Sequence, residues 1–89
     1  MFANGDVYEG EMSGDMRHGI GKTIFKDGSY YYGYYEANAR QGEGLFFYVN
    51  RDRYSGNWWQ GMKHGEGTYI IDFSGMKLKG TWVEGKFMK

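Results

Sequence analysis

The chain contains no cysteine and no proline. Without thiols there is no disulfide framework and no thiolate for metal binding or nucleophilic attack. Such a composition suits a reducing compartment, and a cytoplasmic protein is expected. Net charge is also missing: eleven Lys plus Arg balance eleven Asp plus Glu over 89 residues. No overall field therefore draws in nucleic acid or anionic lipid, and no nucleic-acid partner is expected. Long apolar runs are absent as well. The longest, Leu45 to Val49, is far short of the roughly 20 residues that cross a bilayer as a helix, and no signal-peptide-like stretch follows Met1. The last absence is helical periodicity. No window places apolar residues at i, i+3, i+4 and i+7 over helical length, and each internal glycine would cost a helix about 1 kcal/mol.

What is abundant is glycine, 16 residues, and aromatic side chains, with nine Tyr, six Phe and three Trp. They recur with a period. A shift of 23 superposes Tyr8, Tyr31 and Tyr54, and a shift of 24 from Tyr54 reaches Leu78. Each of these is followed two residues later by glycine (Gly10, Gly33, Gly56, Gly80) and four later by a large apolar residue: Met12, Tyr35, Trp58, Trp82. A period of two marks a strand. Further along each copy come His18-Gly19-Ile20-Gly21, Gln41-Gly42-Glu43-Gly44 and His64-Gly65-Glu66-Gly67, each opening a second alternating run. Between the runs lie Ser13-Gly14-Asp15, Ala37-Asn38-Ala39 and Gln60-Gly61-Met62, where Gly or Asn takes positive φ cheaply. Each repeat is thus a β-hairpin. Links at Asp27-Gly28, Asn50-Arg51-Asp52 and Ser74-Gly75 carry turn chemistry too, the last with the one inserted residue.

The expected fold is all-β with essentially no helix: an elongated, single-layer antiparallel meander of stacked hairpins, advancing about 10 Å per repeat. Residues 1–89 form one array, with copies starting near Tyr8, Tyr31 and Tyr54 and a partial copy at Leu78. Asn4-Gly5 reads as the end of a preceding repeat, and the chain stops soon after Trp82 without a polar cap, so it is read as a fragment of a longer array. Its core is small, and self-association or further chain is expected to supplement it.

Tyr8-Glu9-Gly10-Glu11-Met12 with Arg17-His18-Gly19-Ile20-Gly21, and Tyr54-Ser55-Gly56-Asn57-Trp58 with Lys63-His64-Gly65-Glu66-Gly67, resemble the MORN (membrane occupation and recognition nexus) repeat. The resemblance covers nearly the whole chain. Gln41 departs from the pattern's histidine, Met12 and Tyr35 from its Trp or Phe, and Leu78 from its Tyr, without breaking the period. The spacing is similar to that of arrays in ciliary radial spoke head proteins. The resemblance implies partner peptides bound along an aromatic groove, a cytoskeletal or ciliary setting, and antiparallel dimers through C-terminal repeats. MORN repeats also occur in lipid kinases and at membrane junctions, which implies the alternative of a peripheral membrane or phosphoinositide-binding module.

Alternation assigns Tyr8, Met12, Phe25, Tyr31, Tyr35, Phe46, Tyr48, Tyr54, Trp58, Tyr69, Ile71, Leu78 and Trp82 to one face. Packing accounts for most of them, with glycine letting a neighbouring hairpin's ring lie across the backbone. A single sheet leaves part of this face as a groove, which makes Tyr35, Trp58 and Trp82 partner-binding candidates. The other face is expected to be polar in the first copy, from Glu9, Glu11, Lys22 and Lys26. In the second copy it is not: Tyr30, Tyr32 and Tyr34 alternate on one strand, Leu45, Phe47 and Val49 on the next, and Trp59 and Ile70 extend the apolar area. Sheet twist could fold these rings against their own neighbours. The functional reading is a contact by Tyr30, Tyr32, Tyr34, Phe47 and Trp59 with a partner or a second copy.

Charge is neutral only in sum. Residues 1–36 are acidic, 37–76 balanced and 77–89 basic, with Lys77, Lys79, Lys86 and Lys89 at the end. Opposed ends favour head-to-tail or antiparallel self-association. The lysines are also the candidate lipid contacts, worth about 1 kcal/mol each near an anionic surface. No catalytic constellation, metal site or cofactor motif emerges. His18 and His64 stand two periods apart in equivalent turns and are read as hydrogen-bonding their own loops. Gly19-Ile20-Gly21 and its copies lack the third glycine and the following helix of a phosphate loop. The protein is read as a non-enzymatic interaction scaffold.

Overall fold

A computed structural model describes residues 5–89. Asn4, half of the Asn4-Gly5 pair read as a repeat end, lies outside the described residues, as do positions 1–3 of the array. Eight strands follow in chain order: β1 (Val7–Ser13), β2 (Met16–Ile24), β3 (Tyr30–Glu36), β4 (Ala39–Phe47), β5 (Arg53–Trp59), β6 (Met62–Ile70), β7 (Lys77–Val83) and β8 (Lys86–Phe87). Each pairs antiparallel with the next, in the order β1 to β8, so the sheet is a meander with β1 and β8 at its edges. Eight strands at about 4.8 Å spacing span nearly 40 Å, which agrees with the long dimension of 39 Å against 23 and 16 Å.

Turn chemistry sets the hairpins. Gly14 has φ of +61° at the first turn, whereas Ala37 and Asn38, Gln60 and Gly61, and Glu84 and Gly85 form pairs with both φ values positive. Two consecutive positive φ values give the turn whose twist matches that of the flanking strands. Successive hairpins are then clasped at these turns. Asn38 N–H donates to the Arg17 carbonyl at 3.0 Å, Gly61 N–H to the Arg40 carbonyl at 3.0 Å, and Gly85 N–H to the Lys63 carbonyl at 2.8 Å.

Each of the first three copies carries a bulge, between Gly10 and Met12, Gly33 and Tyr35, and Gly56 and Trp58. The first tyrosine of the copy caps it. Tyr8, Tyr31 and Tyr54 hydroxyls donate to the carbonyls of Glu11, Tyr34 and Asn57 at 2.6, 2.8 and 2.9 Å. To reach there, the ring lies across the glycine opposite: a Cβ on Gly21, Gly44 or Gly67 would fall 2.1 to 2.6 Å from atoms of Tyr8, Tyr31 or Tyr54. The ring therefore belongs to the same hairpin as the glycine. The neighbouring hairpin contributes something else, an indole N–H from Trp58 to the Gly44 carbonyl and from Trp82 to the Gly67 carbonyl, both at 3.1 Å.

The core is a ladder of rings. Tyr8, Tyr35, Tyr31, Trp58, Tyr54 and Trp82 meet edge to face in that order, with centroids 5.1 to 5.4 Å apart and planes at 80° to 88°. This is the arrangement that ring quadrupoles favour. Beside it run Phe25, Phe46, Tyr48 and Tyr69 at 4.5 to 5.6 Å. Trp82 closes the ladder against Phe87 at 5.1 Å. Met12, assigned to this face, is half exposed, because the ladder begins with Tyr8 and Tyr35 and no ring lies on its far side among the described residues.

Candidate protein-interaction surface

The described strands present two faces of different character. On the ladder face, Tyr35, Trp58 and Trp82 are only 4, 5 and 4% exposed. They were expected to line an open groove, and are instead enclosed by the tyrosines on either side. Their surface is spent on the fold, so the groove reading of these three is corrected to core.

The cations at the ninth position after each copy's first residue help to enclose them. Arg17, Arg40 and Lys63 lie over the rings, with Arg17 5.1 Å from Tyr35, Arg40 4.8 Å from Trp58 and Lys63 5.0 Å from Trp82. Arg40 also donates to the Gly61 carbonyl at 2.7 Å, and Lys63 to the Tyr48 hydroxyl at 3.3 Å. Burial depresses the pKa of both side chains, since it penalises the charged form. The same burial raises the tyrosines: Tyr54 is pushed up to about 12, and Tyr31 and Tyr69 higher still, the latter helped by its bond to Asp52. Arg17 and Lys63 were noted in the sequence only as motif residues, and the place of all three cations over the rings was missed, although their spacing repeats the period.

The opposite face is the exposed one. Register brings Ile24, Tyr30, Phe47 and Arg53 into one cross-strand row, and Lys22, Tyr32, Leu45 and Ser55 into the next. A third row begins with Ile20 against Tyr34 and continues as Glu43 against Asn57. Tyr30 and Phe47 are half-buried because they stack on each other at 4.6 Å, and Lys22 sits 4.8 Å above Tyr30. Tyr32 and Tyr34 have no such cover and are 50 and 49% exposed. Between the second and third rows lies a shallow cleft of about 300 Å³ walled by Ile20, Tyr32, Tyr34, Glu43 and Leu45, with the Gly33 and Gly44 backbone in its lining. Trp59, at 42% exposure, stands apart from it, edged by His64 at 5.5 Å. The structure thus gathers four of the five expected residues and leaves Trp59 aside.

Ile20, Ile24 and Val7 are also exposed on this face. The first copy is therefore less polar than Glu9, Glu11, Lys22 and Lys26 led us to expect. Alternation against Thr23, which is fully buried, was the signal for Ile20 and Ile24.

Lys77, Lys79 and Lys86 project from the outer face of the last hairpin, opposite Leu78, Trp82 and Phe87, and all are exposed. Lys89 is exposed too, its carbonyl accepting from Thr81 N–H at 2.9 Å. His64 accepts at Nδ1 from Glu84 N–H at 3.4 Å, and Gln41 accepts from Gln60 N–H at 2.9 Å. His64 therefore bonds to the next hairpin's turn and not to its own loop, as had been expected. Asp52, 8% exposed, accepts from Tyr69 O–H at 2.8 Å and Asp72 N–H at 2.9 Å, so its carboxyl is held below the usual range, first by the Asp72 bond. Among the described residues no group of three or more His, Cys, Asp or Glu could hold a metal ion.

The comparisons agree with this architecture. The MORN repeat family model matches residues 8–30, 31–53 and 54–71, most of the chain and in phase with the three full hairpins. No curated protein matches the chain.

Proposed function

The chain belongs to the MORN repeat family, whose members are in general non-enzymatic modules for protein or membrane interaction, and from that premise we propose that this one is a non-catalytic scaffold that binds protein through its outer aromatic face. One observation carries the reading: Tyr32 and Tyr34, half exposed, flank a cleft whose lining also takes in Ile20, Leu45, Glu43, Ser55 and Asn57. Large rings left facing water over a rigid sheet are the usual makings of a contact centre, because burying them gains area at little loss of side-chain freedom. The occupant is a partner peptide or a second protomer. The setting, by resemblance, is a cytoplasmic cytoskeletal or ciliary assembly.

The test is to immobilise the wild-type array and the Tyr34→Ser/Phe47→Ser variant, with fold checked by circular dichroism, and to compare what each retains. Proteins held by the first and lost by the second support the reading; identical retention overturns it. Peripheral lipid binding is the second reading, carried by Lys77, Lys79 and Lys86 on one exposed face. Salt-sensitive sedimentation with anionic but not neutral liposomes would favour it.

A further inference from the structure

We infer that the cleft on the outer face is an arginine-binding site, and that the partner this face takes is a protein presenting a guanidinium there. The inference rests on the reading of Tyr32 and Tyr34 as a protein contact, and it names the group that seats between them. These two tyrosines stand on one side of β3, two residues apart, which separates them by about 6.8 Å along the strand. A flat group lying between two rings needs about 3.5 Å on each side, so the spacing suits a planar side chain. The backbone of Gly33, Gly44 and Gly56 contributes to the cleft lining.

Charge complementarity identifies the planar group as a cation. Of the described lining residues only Glu43 is charged, and it forms no side-chain hydrogen bond or ion pair among the described residues. Two further carboxylates stand near: Glu11, which accepts from Ile20 N–H at 2.7 Å, and Glu66, two strands along from Glu43, which accepts from the Thr81 hydroxyl at 2.8 Å. The cations of this face lie outside the cleft. Lys22 is laid over Tyr30 at 4.8 Å, Arg53 stands opposite Phe47, and Lys77 and Lys79 belong to β7. The carboxylate of Glu43 and the hydroxyls of Tyr32, Tyr34 and Ser55 all accept hydrogen bonds. Arginine brings five N–H donors and no acceptor, on a planar frame that pairs bidentately with carboxylate and stacks on aromatic faces. The chain uses the same pairing on its ladder face, where Arg17 lies 5.1 Å from Tyr35 and Arg40 4.8 Å from Trp58. At Tyr32 and Tyr34 the partner supplies the cation.

Nuclear magnetic resonance titration of the whole chain tests it with two capped pentapeptides, Gly-Ser-Arg-Ser-Gly and the same sequence with citrulline, a neutral isostere, in place of arginine. The arginine peptide is expected to shift the amides of Ile20, Tyr34, Glu43 and Asn57, and to bind more weakly as salt rises. The citrulline peptide on the wild type, and the arginine peptide on Glu43→Gln, are each expected to bind about tenfold or more weakly, as the loss of a charge-assisted bond implies. Glu66→Gln is the control, since the Thr81 hydroxyl already takes that carboxylate, and its affinity should stay within about twofold of the wild type. Circular dichroism checks the fold of each variant. Equal binding of the two peptides overturns the inference, as does an arginine peptide that leaves those amides unmoved. Equal losses at Glu43→Gln and Glu66→Gln also overturn it, because the attraction would then be diffuse. The protein-contact reading is judged separately: partners lost with Tyr34→Ser/Phe47→Ser yet held by Glu43→Gln keep that reading and remove the arginine.

Discussion

The contact most exposed to a decisive test is that of Tyr54 on Gly67. An alanine Cβ at position 67 would lie 2.1 Å from the tyrosine oxygen, 2.4 Å from Cζ and 2.6 Å from Cε1, well inside the separations real Cβ atoms keep. Tyr54 has nowhere to retreat: it is fully buried, with Trp58 and Trp82 edge to face at 5.2 and 5.3 Å. If the ring swings out, the Asn57 carbonyl loses its 2.9 Å bond, worth about 1–3 kcal/mol for a group left buried and unpaired. Two ring contacts go with it, at about 0.5–1.5 kcal/mol each. Gly67→Ala should therefore destabilise by about 3–4 kcal/mol, above the usual range for overpacking. In a domain of this size that lowers the melting temperature by roughly 12–30 °C.

Gly14→Ala is the control, since nothing lies within 4 Å of its Cβ position and only the φ of +61° opposes the change, at about 1 kcal/mol. Thermal unfolding followed by near-ultraviolet circular dichroism reads both. Tyr54→Leu supplies the second arm, because Leu78 already occupies this position in the last hairpin. In that background Gly67→Ala should cost about 2 kcal/mol less, a coupling typical of residues in direct contact. If Gly67→Ala melts with Gly14→Ala, or if Tyr54→Leu leaves its cost unchanged, the glycine is not there to make room for the ring.

Alkaline pH attacks the same ladder. Tyr31, Tyr35, Tyr54 and Tyr69 all have pKa values raised first by burial, so their contribution to stability is full below the unfolded value near 10 and is lost as pH climbs toward the folded values; denaturant midpoints should fall steadily above about pH 10, and a flat midpoint to pH 12 would refute it. Arg40→Ala should cost about 2 kcal/mol in urea unfolding through the lost bond to the Gly61 carbonyl and the uncovered ring of Trp58, while Arg40→Lys should cost less than half of that, because Lys63 serves the equivalent position; equal losses would mean that the cation is incidental.

Much of this molecule was legible from spacing alone, and the limits of that reading have physical causes. Tyr8, Tyr31 and Tyr54 marked the copies, and Gly14, Asn38 and Gly61 marked the turns, because backbone conformation there depends on local chemistry. Long-range partnership left no such trace. Period two assigns Trp58 to a face, but only the bulge between Gly56 and Trp58 and the clasp of the next turn decide that its indole ends against the Gly44 carbonyl. The core position of Tyr35, Trp58 and Trp82 followed from a density of rings that a single layer was not expected to reach. The roles of Arg17, Arg40 and Lys63 left no trace in the sequence, since a cation over a ring is invisible until the ring is placed. The exposed face was read in outline from Tyr32, Tyr34 and Phe47, whereas Ile20 was hidden inside a glycine-rich turn motif whose alternation had not been followed.

The strands run across the long axis of the array, each tied to its neighbours by a ladder of backbone bonds that lies along that axis. A pull applied between the two ends thus loads those ladders one after another, in series, and peels them open instead of shearing them. The ring ladder is the part shared between adjacent hairpins, so it resists each peel only until its own pair of rings separates. Under tension the molecule should lengthen in discrete increments of one repeat, each releasing 23 residues, or at most about 75–85 Å of extended chain. As a tether it would act less like a rod than like an extensible fuse, giving way hairpin by hairpin.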